Sequence, residues 1–159
     1  MMNAVSPAAP RPEIAAAAPG DAAAIAALLR EAGLPHEDFA RHLAHFLVAR
    51  RAGTVVGAVG FERHGGAALL RSLVVAPAAR GAGLGGELVR RLTARARHEG
   101  VGRFYLLTTT AEAFFAKRGF RKTARPAVPA AIAGTPEFHS LCPASAVCLT
   151  RAVAGRAKP

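Results

Sequence analysis

An α/β (α+β) domain with a mixed, mostly antiparallel sheet flanked by helices is what this sequence predicts, and three observations predict it. Helical spacing of apolar residues gives way after Leu43 to alternating, strand-like segments. Glycine turns at Ala52-Gly53 and His64-Gly65-Gly66 then join three of those segments as antiparallel neighbours. Finally, the stretch from Leu70 to Gly85 runs as an apolar strand through Pro77 into a glycine-rich loop that opens a helix, after which strands and helices alternate.

The elements follow in order. Residues 1–11 read as a disordered leader, 12–153 as one domain and 154–159 as a frayed tail. Glu13 to Ala18 is a first strand stopped by Pro19-Gly20, and Asp21 offers a helix N-cap. Ile25, Leu28, Leu29 and Ala32 repeat at helical spacing until Gly33, and a second short helix covers His36 to Leu43. His45 to Arg51, Thr54 to Arg63 and Leu69 to Val75 are the three antiparallel strands. Leu84, Leu88, Val89, Leu92 and Ala96 form the buried face of a helix that ends at Gly100. Arg103 to Thr108 is a strand, Ala111 to Arg118 a helix and Gly119 to Thr123 a strand. A helix near Val128 to Ala133 and a strand near Ala146 to Ala152 close the domain.

Composition narrows the classes of function. The chain has 159 residues, of which 52% are hydrophobic, enough for one sizeable core. No run approaches 18 large apolar residues and no secretory signal opens the chain, so a soluble, cytoplasmic protein without a membrane partner is expected. The formal charge is +11, nearly all of it arginine, since lysine occurs only at 117, 122 and 158. Arg80, Arg90, Arg91, Arg95 and Arg97 cluster at the glycine loop and its helix, and no zinc-finger spacing or aromatic-interleaved basic patch accompanies them. That placement favours an anionic cofactor over nucleic acid. Cys142 and Cys148 stand too far apart along an extended segment, roughly 20 Å at about 3.3 Å per residue, for a disulfide, and only a turn near Pro143 would change this. The histidines show no metal-ligand spacing, and no metal is assigned.

The loop Arg80-x-x-Gly83-x-Gly85 leaves backbone N–H groups free at a helix N-terminus, where a phosphate or pyrophosphate is the natural guest. It is not a Walker loop, because no Gly-Lys-Ser/Thr follows. Nor is it a dinucleotide fingerprint, because the preceding sheet is antiparallel.

On these residues, over roughly 13–152, the chain resembles the GNAT superfamily of acetyl-CoA-dependent N-acetyltransferases, whose signature is a strand ending in Val-x-Pro followed by Arg/Gln-x-x-Gly-x-Gly/Ala. The resemblance implies acetyl-CoA as cosubstrate. Leu73, Val74 and Val75 would pair with its pantetheine arm like an added strand. Arg80, Gly81, Ala82, Gly83, Leu84, Gly85 and Gly86 would hold the pyrophosphate, with Thr109 and Phe115 completing the cofactor set.

Many members carry a tyrosine, as acid for the departing thiolate, at the position of Phe115, which has no proton to give. The string Leu106-Leu107-Thr108-Thr109 through Arg118-Gly119-Phe120 is similar to the acetyltransferase domain of bacterial N-acetylglutamate synthases. With the segment Arg125 to Ala146 it is more similar to small N-acetyltransferases encoded with arsenic-resistance genes. In the glutamate synthases an Arg-Ser pair holds the amino acid. Here Ser145 matches the serine and Ala144 replaces the arginine, which weakens a dicarboxylate assignment.

The implied reaction is transfer of acetyl to the amine of a small amino-acid-like substrate by direct attack, in an arsenic-resistance setting. N-acetylglutamate synthesis and a non-catalytic CoA-binding sensor are the alternatives. Glu62 and Glu112 are the carboxylates placed to act as base, with Ser145 in the same catalytic set. Arg71, a charge on a central strand, is the candidate to grip a substrate carboxylate, with Arg125 and Ser145 as secondary choices for that task. Cys142, beside a proline, joins the substrate-binding set. Exposed sheet edges allow a homodimer.

Overall fold

The computed structural model of the chain describes residues 10–153. Of the expected leader only Pro10 and Arg11 fall within them, and the expected tail lies outside. Seven strands form one sheet: β1 (Glu13–Ala16), β2 (Phe46–Arg51), β3 (Thr54–His64), β4 (Ala67–Val75), β5 (Arg103–Thr108), β6 (Arg121–Lys122) and β7 (Val147–Ala152). Their spatial order is β1-β2-β3-β4-β5-β7-β6. Every neighbouring pair is antiparallel except β4 and β5. Among the described residues four α-helices, α1 (Ala22–Glu31), α2 (Leu84–His98), α3 (Glu112–Ala116) and α4 (Ala130–Ala133), pack on the sheet.

Strand alternation sends successive side chains to opposite faces. Leu47, Val59, Phe61, Leu70, Phe104 and Leu106 bury one face against Leu88, Val89, Leu92 and Ala96 of α2, and Phe115 and Phe120 extend that cluster. On the other face Phe46, Val48, Ala58 and Val74 meet Ile25 and Leu29 of α1. Farther along that face Leu69, Leu107 and Cys148 meet Val128, Ile132 and Phe138. Each fully buried large aliphatic or aromatic side chain contributes about 1.5–3 kcal/mol of transfer free energy, so both faces are held by several such contacts. Gly60 lets Phe46 lie directly on the sheet, because a Cβ there would run into the Phe46 ring.

Two irregularities position the site. Between the pairs Ala58–Val74 and Gly60–Arg71, β4 carries one residue more than β3. The extra residue is absorbed where Ser72 takes a left-handed backbone, φ 63. In addition, β4 pairs with β5 only through Ala67, Ala68 and Leu69. Beyond that point both strands continue unpaired with each other, so the sheet opens into a notch flanked by the ends of β4 and β5.

Several local expectations are corrected. Residues 36–43 are not an α-helix; a 3-10 turn over Phe39–His45 takes that place. The expected helix 111–118 shortens to α3, and the expected strand 119–123 to the two residues that pair with β7. Asp21 stands at the N-cap position of α1 but caps no α1 N–H. Its carboxylate instead accepts from Ala18 N at 2.7 Å and takes a two-pronged ion pair from Arg50 at 2.7 and 3.1 Å. A π-turn over Glu137–Leu141, closed by Cys142 N donating to Glu137 O at 3.1 Å, was not foreseen.

Candidate active site

The glycine loop lies at one side of the notch. After a 3-10 turn at Pro77–Ala79 the chain passes Gly81 and Gly83, both left-handed at φ 92 and 85, a backbone that side chains with a Cβ rarely adopt. Arg80 ties the loop to the end of β4 by donating from Nε to Val75 O at 2.9 Å. Gly83 is the N-cap of α2 and brings no side chain to cap it, so the first-turn N–H groups are left for a guest. A helix N-terminus of this kind favours an anion through its unsatisfied donors and its dipole.

Two adjoining cavities occupy the notch. The outer groove, about 410 Å³, has Leu73–Val75, Arg80, Gly81 and Gly83–Gly86 on one wall and Thr110, Ala111, Phe114 and Arg118 on the other. Arg118 lies over the Phe114 ring, 3.7 Å from its centroid, and donates to Phe114 O at 2.7 Å. The inner cavity, about 360 Å³, is lined by Leu34, Pro35, Arg71, Ser72, Leu106–Thr108, Phe115, Glu137 and Cys142 among others. Leu73, Arg80, Thr110 and Ala111 line both, so the two spaces meet at the parted strands.

Beneath the inner cavity lies a buried charge cluster centred on Arg71, whose side chain is fully buried. Its Nη1 donates to Asp38 Oδ2 at 2.9 Å and to Glu62 Oε2 at 2.5 Å, and its Nη2 to Asp38 Oδ1 at 2.6 Å. Nε donates to Ser72 Oγ at 3.0 Å and stands 3.7 Å from Glu137 Oε1. Burial works against the guanidinium charge, but its hydrogen bonds to Asp38 and Glu62 and the charges of Glu137 and Asp38 outweigh it and hold the Arg71 pKa above its ordinary value. Burial likewise opposes ionisation of Asp38, yet Arg71 keeps that carboxyl below the usual carboxylate range. Glu62 is also 3.4 Å from His42 Nε2 and 3.5 Å from His64 Nε2. Burial pushes the His42 pKa down despite the Glu62 charge.

The anticipated residues fall into distinct places. Leu73, Val74, Val75, Arg80, Gly81, Gly83, Leu84, Gly85 and Gly86 line the outer groove. Ala82 faces a separate surface hollow beside Arg11, Arg51 and Arg91, and Thr110 rather than Thr109 reaches the groove. Phe115 lies on the inner cavity, packed edge-on to Phe114 and Phe120. Arg71 and Cys142 line the inner cavity, and burial, then the Glu137 charge, pushes the Cys142 thiol up to about 12. Cys142 and Cys148 are both free thiols.

Glu62 sits under Arg71 and lines neither cavity. Glu112 faces solvent, 3.4 Å from Lys122 Nζ. Ser145 is exposed in a turn away from both cavities. Arg125 reaches across Phe138 and donates to the carbonyls of Pro143, Ala144 and Ala146, fastening the segment before β7. Sequence reasoning missed Asp38, Glu137, Thr110, Ala111, Phe114 and Arg118. The unpaired charge of Arg71 on a core strand was the one signal that buried carboxylates had to exist somewhere in the chain. Among the described residues no group of histidine, cysteine or carboxylate side chains is arranged to hold a metal, and no helix is long and apolar enough to cross a membrane.

A family model for the acetyltransferase (GNAT) domain matches residues 42–122. An IAA acetyltransferase of Azospirillum brasilense is 40% identical over 81 residues, covering 47% of this chain and 53% of that protein. An amino-acid acetyltransferase of Ralstonia nicotianae is 37% identical over 82 residues, covering 50% of this chain and 18% of that protein. The matches thus span about half or less of those relatives. Among solved structures, N-acetylglutamate synthase from Neisseria gonorrhoeae, complexed with coenzyme A and L-arginine, superimposes with a TM-score of 0.78 at 25% identity, over 92% of this chain and 34% of that one. Rv2747 from Mycobacterium tuberculosis, in complex with CoA, gives 0.77 at 25% identity over 89% of this chain and 99% of that one.

Proposed function

The chain belongs to the GNAT acetyltransferase family, and we propose that it transfers the acetyl group of acetyl-CoA to the amine of a small, amino-acid-like acceptor by direct attack. The observation that carries this reading is the meeting of a glycine-loop groove and a separate inner cavity at the point where β4 and β5 part. Two reactants, one long and phosphorylated and one small, would be brought together there.

In this arrangement the N–H groups of the loop and the first turn of α2 bind the pyrophosphate, with Arg80 adjacent. The β5-facing edge of β4 beyond Leu69 is free to take the pantetheine arm as an added strand. Its N–H groups are also the donors nearest to where a thioester carbonyl would develop negative charge. Phe115 donates no proton, so the thiolate leaves unassisted, which a thiol of pKa about 8.5 tolerates near neutral pH.

Arg71 is proposed as an organiser of the cavity wall. Four of its five N–H donors are engaged by Asp38, Glu62 and Ser72, so no pair is left for a two-pronged grip on a substrate carboxylate. Arg80, the other cation on the inner cavity, is proposed for an acidic group of the acceptor. This distribution speaks against a dicarboxylate such as glutamate and for an acceptor with one acidic end. An arsenic-resistance role, a cytoplasmic location and a homodimer remain parts of the proposal. The first rests on the likeness of the Leu106–Phe120 and Arg125–Ala146 segments, and the last on the edge strands β1 and β6.

Phe115 favours one other reading, a CoA sensor without turnover. Calorimetric titration with acetyl-CoA, followed by mass analysis of a mixed amine panel incubated with both, decides between them. The transferase reading expects saturable binding and an acceptor gaining an acetyl group. Binding with every amine unchanged supports the sensor.

A further inference from the structure

An aliphatic amine arrives near neutral pH as an ammonium ion, and its proton must leave before nitrogen can attack. Among the described residues lining the inner cavity, Glu137 is the one carboxylate. It opens the π-turn Glu137–Leu141 and is only 5% exposed. Its carboxylate accepts no hydrogen bond from any described residue, and the nearest cation, Arg71 Nε, stands 3.7 Å away. Asp38 and Glu62 hold the Nη atoms of Arg71 far more tightly, at 2.5 to 2.9 Å. Three carboxylates therefore share one guanidinium, and the loosely held one faces the cavity.

We propose that Glu137 is the general base of the acetyl transfer and that Arg71, fixed by Asp38 and Glu62, is the positioning residue that keeps it there. The assignment rests on the acetyltransferase reading above. In the step, the Glu137 carboxylate takes one proton from R–NH3+, leaving R–NH2. The nitrogen lone pair attacks the thioester carbonyl, the C–S bond breaks, and the CoA thiolate leaves. The second nitrogen proton passes to the thiolate or to water, and Glu137 returns its own proton to solvent. The groups facing Glu137 are Arg71 from β4, Glu62 from β3, Asp38 before the 3-10 turn, and the Cys142 thiol. Burial pushes the carboxyl up to about 7 against the pull of Arg71, and Glu62 and Asp38 add to the rise. A base titrating there is more basic than an ordinary carboxylate and about half ionised at neutral pH.

The test uses the full chain with Glu137→Gln and Glu137→Asp, assaying thiol release from acetyl-CoA. Two kinds of acceptor are needed: the best alkylamine of the panel, and O-methylhydroxylamine, which is already neutral at pH 7. With the alkylamine, Glu137→Gln should lower kcat by about 10²–10⁴-fold, abolish the limb rising near pH 7 and leave the acetyl-CoA KM unchanged. Glu137→Asp should recover part of the loss. With O-methylhydroxylamine the Gln variant should stay within a few-fold of wild type. Wild-type kcat and pH profile in Glu137→Gln, or an equal loss with both acceptors, overturns the assignment while the acetyltransferase reading stands. A wild-type protein that acetylates no amine removes that reading, and Glu137's role with it.

Discussion

Arg71 shows how much a single buried charge dictates. Its guanidinium is out of water, and only a surrounding set of carboxylates makes that tolerable. Removing it leaves Asp38, Glu62 and Glu137 together without a buried cation. Arg71→Met should therefore destabilise the protein at pH 7 by about 3–5 kcal/mol, and the loss should shrink as the pH falls and those carboxyls take up protons. Glu137 carries the opposite sign from a salt-bridged acid. Its folded pKa of about 7 exceeds the ordinary 4.5, so the native state binds the extra proton and wild-type stability declines as pH rises between those values. Melting curves from pH 4.5 to 8 should accordingly show Glu137→Gln gaining on wild type with rising pH; a constant difference would contradict the burial argument. Part of this was legible beforehand. Arg71 is visibly misplaced on an apolar strand, but Glu62, Glu112 and Glu137 look alike in one dimension. Only the register of β3 and the π-turn separate a buried partner, a solvated surface acid and a cavity wall.

At the scale of elements, strong periodicity was easily read and backbone irregularity was not. The strands β2 to β5 and the helix α2 fall within two residues of expectation at each end, because alternation and a 3.6-residue apolar stripe are local signals. The bulge in β4 left no such mark: its left-handed residue is Ser72, where glycine would have announced it. The π-turn was equally hidden, and the helix expected over 36–43 gives way to a turn at whose start Asp38 pairs with Arg71. Two glycines test the elements directly. Gly60→Ala should cost about 1–3 kcal/mol by driving a methyl into the Phe46 ring, measured by urea denaturation. Gly83→Val forces a β-branched residue into φ 85 at the mouth of α2. It should raise the acetyl-CoA Kd about tenfold or more, since roughly 1–2 kcal/mol of backbone strain falls on the proposed pyrophosphate cradle. Unchanged affinity would mean that the loop is not the cradle.

Across the whole molecule, the fold separates two tasks that meet at one gap. One face of the sheet, packed by α2, presents the glycine loop, and the other face carries Arg71 with its carboxylates. The parting of β4 from β5 joins the two. The chain's formal charge of +11 favours a polyanionic donor, so acetyl-CoA affinity should weaken as ionic strength rises. The donor side was readable because its motif is contiguous. The acceptor side was not, since it is assembled from residues 32 to 142 by the fold. The measurement that bears most directly on the central claim is thiol release from acetyl-CoA by the wild-type protein, with and without a panel of small primary amines. Release should saturate in both acetyl-CoA and at least one amine, in step with formation of the N-acetyl product. Release independent of every amine, or none at all, would contradict it.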